Sequence, residues 1–374
     1  MKVPFYLHHL GDAEKHAIVE ALGDPILSTG ARVKDFEERF ARFVGAPHAL
    51  GVTHCTAALH ACLLAAGIGE GDEVIVPPLT FIATANAVLH CGGKPVFADV
   101  DRDTGNLSPD AVAAAITPRT RAIIPVHLYG TPAEHDAFAA LARQHNLTLI
   151  YDAAHCVEGQ YRGRRIGELG DFTCYSFYAT KNLTCGEGGA ITLKDEATLE
   201  RLRRLTLHGM TSGGASRFQG AYKHWDMVEL GWKYNLPNVL AALLIPQLER
   251  LPGLLEQREA ICRQYEEAFA GLGYLRTLKV PAHVRSARHL FTVVFDPAVR
   301  DEAIRQLNAA GIGITVNYRP VHLTQYYREA LGYREGMYPH AEAIGGGTVS
   351  LPLYPRMSPE QVQTVISAVR ALRL

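Results

Sequence analysis

Two short segments of this sequence carry the residues with the clearest chemical potential. In the first, Leu149 to His155, the acid Asp152 comes at the end of an apolar run that predicts a β-strand. In an open α/β sheet, ligands bind at the carboxyl ends of the strands. In the second, Ser176 to Gly189, Lys181 follows a short aromatic run and is surrounded by aromatic residues, small hydroxyl residues and glycines.

An amine in such surroundings can lose its water, which lowers the pKa of a lysine and lets it react with a carbonyl group. Pyridoxal phosphate requires such a lysine, an acid that keeps its ring nitrogen protonated, and hydroxyl groups or backbone amides that bind its phosphate. The two segments can supply all three kinds of group. The residues therefore indicate a pyridoxal-phosphate enzyme in which Lys181 is the reactive amine and Asp152 the acid.

The elements that must position these residues alternate in the first half of the chain. Helical patterns of about ten to fifteen residues stand between short apolar runs, as in βαβ units with a mostly parallel sheet buried on both faces. The fold class predicted is therefore α/β. The predicted helices cover 56–66, 81–93, a stretch that begins near 108, and 133–146; the predicted strands cover 73–78, 94–100, 121–130, 147–154 and 172–178.

The second half predicts a smaller unit. The small polar run 211–220 indicates a surface loop, and 243–270 reads as a long helix interrupted by prolines. Beyond it we predict strands over 289–296 and 314–319, and helices over 301–311 and 358–372. We therefore predict a large cofactor-binding domain over 1–245, N-terminal segment included, and a small C-terminal α+β domain over 246–374.

Composition excludes several other classes of protein. The chain has 374 residues, enough for about two domains, and its formal net charge of −1 argues against a nucleic-acid binder, which needs a basic face. It contains no apolar run of about 18 residues and therefore predicts no membrane span, and its first residues do not resemble a signal peptide. The seven cysteines are odd in number and form no CxxC pair, which predicts reduced thiols in a cytoplasmic protein.

Three weaker motifs do not change this interpretation. The acidic run 99–110 resembles a calcium loop, but its glycine stands one position too late and the run follows a predicted strand. The histidines and cysteines between 54 and 62 lack a second ligand pair at zinc-finger spacing. The glycine-rich runs 185–192 and 344–348 match neither a P-loop nor a dinucleotide-binding fingerprint. We therefore expect no metal site and no NAD-dependent oxidoreductase.

The sequence resembles the DegT/DnrJ/EryC1/StrS family of sugar aminotransferases along nearly its whole length. The most specific match is SFYATKN…GEGG at 176–189, with DAAH upstream at 152–155. This resemblance implies the fold-type I architecture of pyridoxal-phosphate enzymes: a large domain with a mostly parallel central sheet flanked by helices, and a smaller C-terminal α+β domain. Other similar runs are STGARVKDFEERFA, GVTHCTAALHACLLAAGIGEGDEVIVPPLTFIATANAV, ITPRTRAIIPVHLYG, LGWKYNLPNVLAA, GIGITVNYRPVH and SLPLYP.

The resemblance also implies a role for residues that match the family's motifs. Lys181 would be the Schiff-base lysine and proton shuttle, and Asp152 would pair with the pyridinium nitrogen. His155 would lie near the ring or its 3-hydroxyl, with a purely structural histidine as the alternative. Phe81 would stack on the ring face, with a place in the core as the alternative, and Ser176 would add its hydroxyl to the phosphate site.

The phosphate and a second subunit are implied in the same way. Cys55 and Thr56 would bind the phosphate largely through backbone amides at a helix N-terminus. Relatives often read SGT where this chain reads His54-Cys55-Thr56, so the prediction concerns the backbone rather than the Cys55 thiol. Asn235 would reach the phosphate from the neighbouring subunit, which implies a homodimer with shared active sites; a turn residue is the alternative.

The substrates follow from the resemblance as well. The family implies transfer of an amino group from L-glutamate to a nucleotide-linked keto sugar, and DAAH, LHGM and KYNL are most similar to the branch that aminates C4 of UDP-4-keto sugars. Tyr318, Arg319 and His322 are candidate sugar-binding residues, with a structural loop as the alternative. Competing functions are a dTDP-keto-sugar C3 or C4 aminotransferase and a non-catalytic pyridoxal-phosphate regulatory protein. Lys181 argues against a deoxysugar dehydratase, which has histidine at that position.

Overall fold

The computed structural model describes residues 1–211 and 224–374. The predicted surface loop at 211–220 lies, apart from its first residue, outside the described residues. Thirteen strands are present in the described ranges: β1 His48–Val52, β2 Glu73–Val76, β3 Lys94–Phe97, β4 Thr120–Ile123, β5 Thr148–Asp152, β6 Gln160–Tyr161, β7 Arg164–Arg165, β8 Phe172–Ser176, β9 Gly189–Leu193, β10 Leu275–Thr277, β11 Val284–Arg285, β12 Phe291–Phe295 and β13 Thr348–Leu351.

The same ranges contain thirteen α-helices. Their termini often follow the expected capping chemistry: Ser108, Asp195 and Ser358 each accept a hydrogen bond from a backbone N–H in the first turn. The helices are α1 Asp12–Leu22, α2 Ala31–Val44, α3 Cys55–Ala65, α4 Ala83–His90, α5 Pro109–Ala115, α6 His135–His145, α7 Glu196–Leu205, α8 Asn238–Leu248, α9 Leu251–Phe269, α10 Pro297–Ala309, α11 Gln325–Leu331, α12 Pro339–Gly347 and α13 Pro359–Arg370.

A seven-stranded sheet organises the first half of the chain, in the order β1-β9-β8-β5-β4-β2-β3. The pairs from β8 to β3 are parallel, whereas β9 is antiparallel to both of its neighbours. Residues of β2, β5, β8 and β9 are almost entirely buried, because helices cover both faces of the sheet. The α/β fold class and the mostly parallel central sheet are therefore confirmed.

A second, smaller sheet lies in the C-terminal part of the chain. Its order is β10-β12-β13, all antiparallel, and it packs with α9, α10 and α13 around a separate hydrophobic core that also contains Val3. The predicted long helix over 243–270 is two helices, α8 and α9, and Pro246 lies inside α8. The predicted domain boundary after residue 245 falls within α8 and stays a prediction.

One predicted strand is wrong. Residues 314–319 form no strand of the sheet, and only Thr315 makes an isolated bridge, to Ser350. The alternating pattern there has another cause, because the segment carries Asn317 and Tyr318 to the carboxyl end of the central sheet, where they contact Tyr129. None of the helices in the described part of the chain combines the length and apolar character that crossing a bilayer requires.

Candidate active site

Asp152 is the last residue of β5, and its carboxylate is buried at the carboxyl end of the central sheet. Oδ2 accepts a hydrogen bond from the Thr84 hydroxyl at 2.8 Å, and Oδ1 accepts one from the Ala154 N–H at 3.1 Å. Burial raises the pKa of Asp152, while these two hydrogen bonds and the nearby Lys181 lower it. A buried carboxylate of this kind is stabilised when a cationic group binds next to it.

The N-terminus of α3 lies beside this carboxylate, with the Cys55 sulfur 3.9 Å from Oδ1 of Asp152. His54 caps the helix by accepting the Ala57 N–H at 2.9 Å. Cys55 and Thr56, the first two residues of the helix, precede any intrahelical acceptor, so their N–H groups are available to an anion. The predicted phosphate-binding backbone is therefore in a suitable place.

A glycine allows β9 to approach this helix terminus closely. A Cβ on Gly189 would come within 2.8 Å of the Cys55 nitrogen, so only glycine fits without displacing the start of α3. Gly189 pairs with Ser176, the last residue of β8, and Ser176 is buried with its hydroxyl oxygen accepting the Tyr178 N–H at 3.3 Å. The Ser176 hydroxyl is thus held at the strand end next to the α3 N-terminus.

Lys181 lies on the turn between β8 and β9, and its side chain is partly buried. Burial lowers the pKa of its amine to about 8, although Asp152 and Cys55 act in the opposite direction. The Lys181 charge is close enough to lower the pKa of His155 as well. The structure therefore brings the predicted amine, acid and histidine into one site and gives the amine a pKa near neutrality.

His155 follows Asp152 closely in sequence and is almost fully buried. Its Nδ1 accepts the Tyr129 N–H at 3.2 Å, which places the proton of the neutral ring on Nε2, 3.1 Å from the Tyr318 hydroxyl oxygen. Tyr318 thus contacts His155, and its role as a substrate residue stays a prediction. Phe81 has 55% of its surface exposed and lies 6.0 Å from the Tyr318 ring, so the core alternative for Phe81 does not apply.

The other two candidate sugar residues are not brought to His155. His322 is fully buried, its Nε2 donates to Glu342 Oε1 at 2.9 Å, and its ring packs against the Tyr338 ring at 4.7 Å. This environment gives His322 a structural role in an aromatic cluster. Arg319 is exposed and its guanidinium donates to the Leu323 carbonyl at 2.9 Å.

Asn235 forms an isolated bridge with Val52, the last residue of β1, just before the α3 N-terminus. Its amide donates to the Thr29 hydroxyl at 2.6 Å, and its carbonyl oxygen accepts from Lys233. Asn235 thus lies on the β1 side of α3 of its own chain. Its predicted reach into a neighbouring subunit stays a prediction.

Several residues of the site were missed by sequence reasoning. Thr84 holds Asp152, Tyr129 holds His155, and Asn182 and His289 lie behind His155. Of these, Asn182 had a usable signal, because it directly follows the candidate Schiff-base lysine, Lys181. His289 lies more than a hundred residues away in sequence, and only the fold brings it to the site.

These residues fit pyridoxal phosphate on structural grounds. A buried carboxylate needs a cationic partner, the α3 N-terminus offers backbone N–H groups to an anion, and the Lys181 amine has a pKa low enough to react with a carbonyl group. Asp152 would hold the ring nitrogen and Lys181 the aldehyde carbon. The fold and the site thus define a pyridoxal-phosphate enzyme of the fold-type I architecture.

Comparison with known proteins gives the family. The model of the DegT/DnrJ/EryC1/StrS aminotransferase family matches residues 8–370. The chain belongs to this family, is a pyridoxal-phosphate-dependent sugar aminotransferase, and uses pyridoxal phosphate as its cofactor. The predictions of family, enzyme class and cofactor are confirmed.

Individual relatives agree along almost the whole chain. The spore coat polysaccharide biosynthesis protein SpsC of Bacillus subtilis is 43% identical, covering 98% of this chain and 96% of the relative. The structure of DesV from S. venezuelae is 37% identical with a TM-score of 0.92, covering 99% and 98% of the two chains. Spr1654 from Streptococcus pneumoniae in its PLP form is 30% identical with a TM-score of 0.91, again covering 99% and 98%.

Proposed function

We propose that this protein transfers an amino group from L-glutamate to a nucleotide-linked keto sugar, at C4 of a UDP-4-keto sugar. The observation that carries the proposal is a lysine whose pKa is lowered to about 8, placed beside a buried carboxylate at the carboxyl end of a parallel sheet. The matching family of sugar aminotransferases supports the sugar as acceptor. The choice of glutamate and of a UDP sugar rests on the sequence resemblance alone.

In this proposal the residues of the chain divide the work of proton transfer. When bound, pyridoxal phosphate supplies an electron sink for the carbon that loses its proton. Lys181 would take the proton from the α-carbon of the amino donor and deliver it to the cofactor carbon in the same half-reaction, and in the second half-reaction it would move a proton in the opposite direction, to the sugar carbon that receives the amine. Asp152 keeps a positive charge on the ring nitrogen, which stabilises the negative charge that develops. His155 orients the ring, and the backbone of Cys55 and Thr56 binds the phosphate.

The sugar would enter from the side of Tyr318 and Phe81. Tyr318 accepts the His155 proton, which leaves its own hydroxyl hydrogen free to bind a substrate oxygen. Phe81 offers a large exposed aromatic surface next to it. We further propose a homodimer, with Asn235 contributing to the neighbouring site, and a cytoplasmic location.

The substrate is tested with a panel of nucleotide keto sugars. Purified enzyme is incubated with L-glutamate and with UDP-linked or dTDP-linked keto sugars, and the amino product is identified by mass and NMR. The proposal predicts a 4-amino product from the UDP-4-keto sugar. A preference for dTDP sugars, or amination at C3, would support the competing aminotransferase activity instead. Cofactor absorbance that L-glutamate leaves unchanged would point to a non-catalytic protein.

A further inference from the structure

The side chain next to Lys181 in sequence is fully engaged in hydrogen bonds. The Asn182 amide nitrogen donates to Glu158 Oε2 at 3.0 Å and to the Ala287 carbonyl at 2.9 Å. Because both amide protons are used, the Asn182 oxygen is the atom that faces His289 Nδ1, 3.2 Å away. That oxygen can only accept, so Nδ1 of His289 must carry the proton.

His289 lies against the ring of His155. Their centroids are 4.5 Å apart and their planes make an angle of 28°. The proton of neutral His155 is on Nε2, because its Nδ1 accepts the Tyr129 N–H. The stacked rings therefore carry their protons on different nitrogens, each set by a partner outside the pair. His289 therefore lies against one face of His155.

The charges around His289 are almost all positive. Burial holds the pKa of His289 well below its ordinary value, and the positive charges of Lys181 and Arg258 lower it further. Burial and the proximity of Lys181 and His289 likewise lower the pKa of His155. Glu158, which accepts a hydrogen bond from the Asn182 amide, forms a buried ion pair with Arg258 that compensates its negative charge.

We propose that Asn182 is a positioning residue whose neutral amide fixes the proton of His289 on Nδ1 without adding a charge that would stabilise an imidazolium, so that uncharged His289 can support the ring of His155. This inference rests on the proposed function for its activity readout. A carboxylate at this position would accept the same N–H and would also stabilise an imidazolium, as the aspartate of a Ser-His-Asp triad does. An imidazolium behind His155 would repel the Lys181 ammonium and the cationic ring that Asp152 holds. An amide satisfies the buried N–H without adding charge.

The protonation of His289 tests this directly, without any turnover. The cofactor-loaded enzyme is labelled with ¹⁵N-histidine and compared by NMR with Asn182→Asp and the matched Asn182→Ala, between about pH 5 and pH 9. We expect His289 to stay uncharged with its proton on Nδ1 in the wild type, and uncharged in Asn182→Ala. In Asn182→Asp, we expect His289 to become charged within this pH range, because the carboxylate stabilises the imidazolium.

The activity readout separates charge from structure. We expect kcat of Asn182→Asp to fall about tenfold, and the acid limb of its kcat–pH profile to move to higher pH, because the active form requires uncharged His289. Asn182→Ala should keep the wild-type pH profile. If Asn182→Asp does not fold, His289→Phe should retain kcat within about threefold, because it keeps the ring, and His289→Ala should lose about tenfold.

Two results would overturn the inference. One is a His289 that stays uncharged in Asn182→Asp, and the other is an Asn182→Ala that shifts the pH profile as far as Asn182→Asp does. If Asn182→Asp does not fold, an equal loss of kcat in His289→Phe and His289→Ala would contradict a supporting role for the His289 ring. Failure of the wild type to react with L-glutamate would instead remove the proposed function, and the NMR comparison would still decide the role of Asn182.

Discussion

The pKa of Lys181 can be tested in the apoenzyme by changing the pH and by changing Asp152. Burial lowers the pKa of the amine to about 8, and the Asp152 carboxylate works against that shift because it stabilises the ammonium. Asp152→Asn removes the negative charge and keeps the shape of the side chain. We therefore expect the pKa of Lys181 to fall below 8 in Asp152→Asn, by about one unit for an opposite charge at short range.

The pKa of Lys181 sets the fraction of its amine that is uncharged, and therefore reactive, at a given pH. At pH 7 a pKa of about 8 leaves roughly one tenth of the amine uncharged, whereas the ordinary value of 10.5 leaves roughly three parts in ten thousand. The wild-type amine should therefore be about 300-fold richer in its reactive form than an ordinary lysine. Asp152→Asn should raise that fraction further, to about one half at pH 7.

Competitive labelling with an amine reagent measures the pKa of Lys181. The apoenzyme is labelled briefly at a series of pH values, and the modified peptides are quantified by mass spectrometry, with the exposed Lys34 as the internal reference. Lys181 should show a midpoint near pH 8 in the wild type and a lower midpoint in Asp152→Asn. A Lys181 midpoint that coincides with that of Lys34, or one that rises in Asp152→Asn, would refute the reasoning.

Three further substitutions test the supports of the site. Thr84→Val removes a hydroxyl that lowers the pKa of Asp152, so the acid limb of the activity profile should move up by about one pH unit. Gly189→Ala would place a methyl group 2.8 Å from the backbone at the start of α3, and equilibrium titration should show cofactor binding weakened at least about tenfold. In the control Gly69→Ala the new methyl group meets nothing within 4 Å, so cofactor binding should be unchanged. Arg258→Met leaves its buried carboxylate partner unpaired and should lower the free energy of denaturant unfolding by about 3–5 kcal/mol; a loss below about 1 kcal/mol would contradict the buried pair.

Much of the central fold could be predicted from the sequence, because short apolar runs between helical patterns are a strong signal for a parallel sheet. The predicted strands 147–154 and 172–178 correspond to β5 and β8, with boundaries that differ by at most two residues. The segment 314–319 misled the prediction, because alternation of apolar and polar residues also occurs in an extended loop that presents Tyr318 to the site. The pattern alone contains no information on which backbone groups pair.

The residues of the candidate site also differ in how far the sequence could predict them. Residues in a contiguous motif, such as Lys181 and Asp152, were identified because their chemistry and their neighbours occur together in sequence. His289 could not be found that way, because it reaches His155 only through packing between distant segments. For His322 the sequence left a sugar-binding and a structural role open. Its ring is buried against Tyr338, which favours the structural alternative.

The most direct test of the central claim asks which residue holds the cofactor and whether L-glutamate releases it. The cofactor-loaded enzyme is reduced with borohydride, with and without prior addition of L-glutamate, and the peptides are mapped by mass spectrometry. The account predicts that the reduced cofactor is attached to Lys181 and that glutamate largely prevents the attachment. Attachment to another lysine, or labelling of Lys181 that glutamate does not diminish, would contradict it.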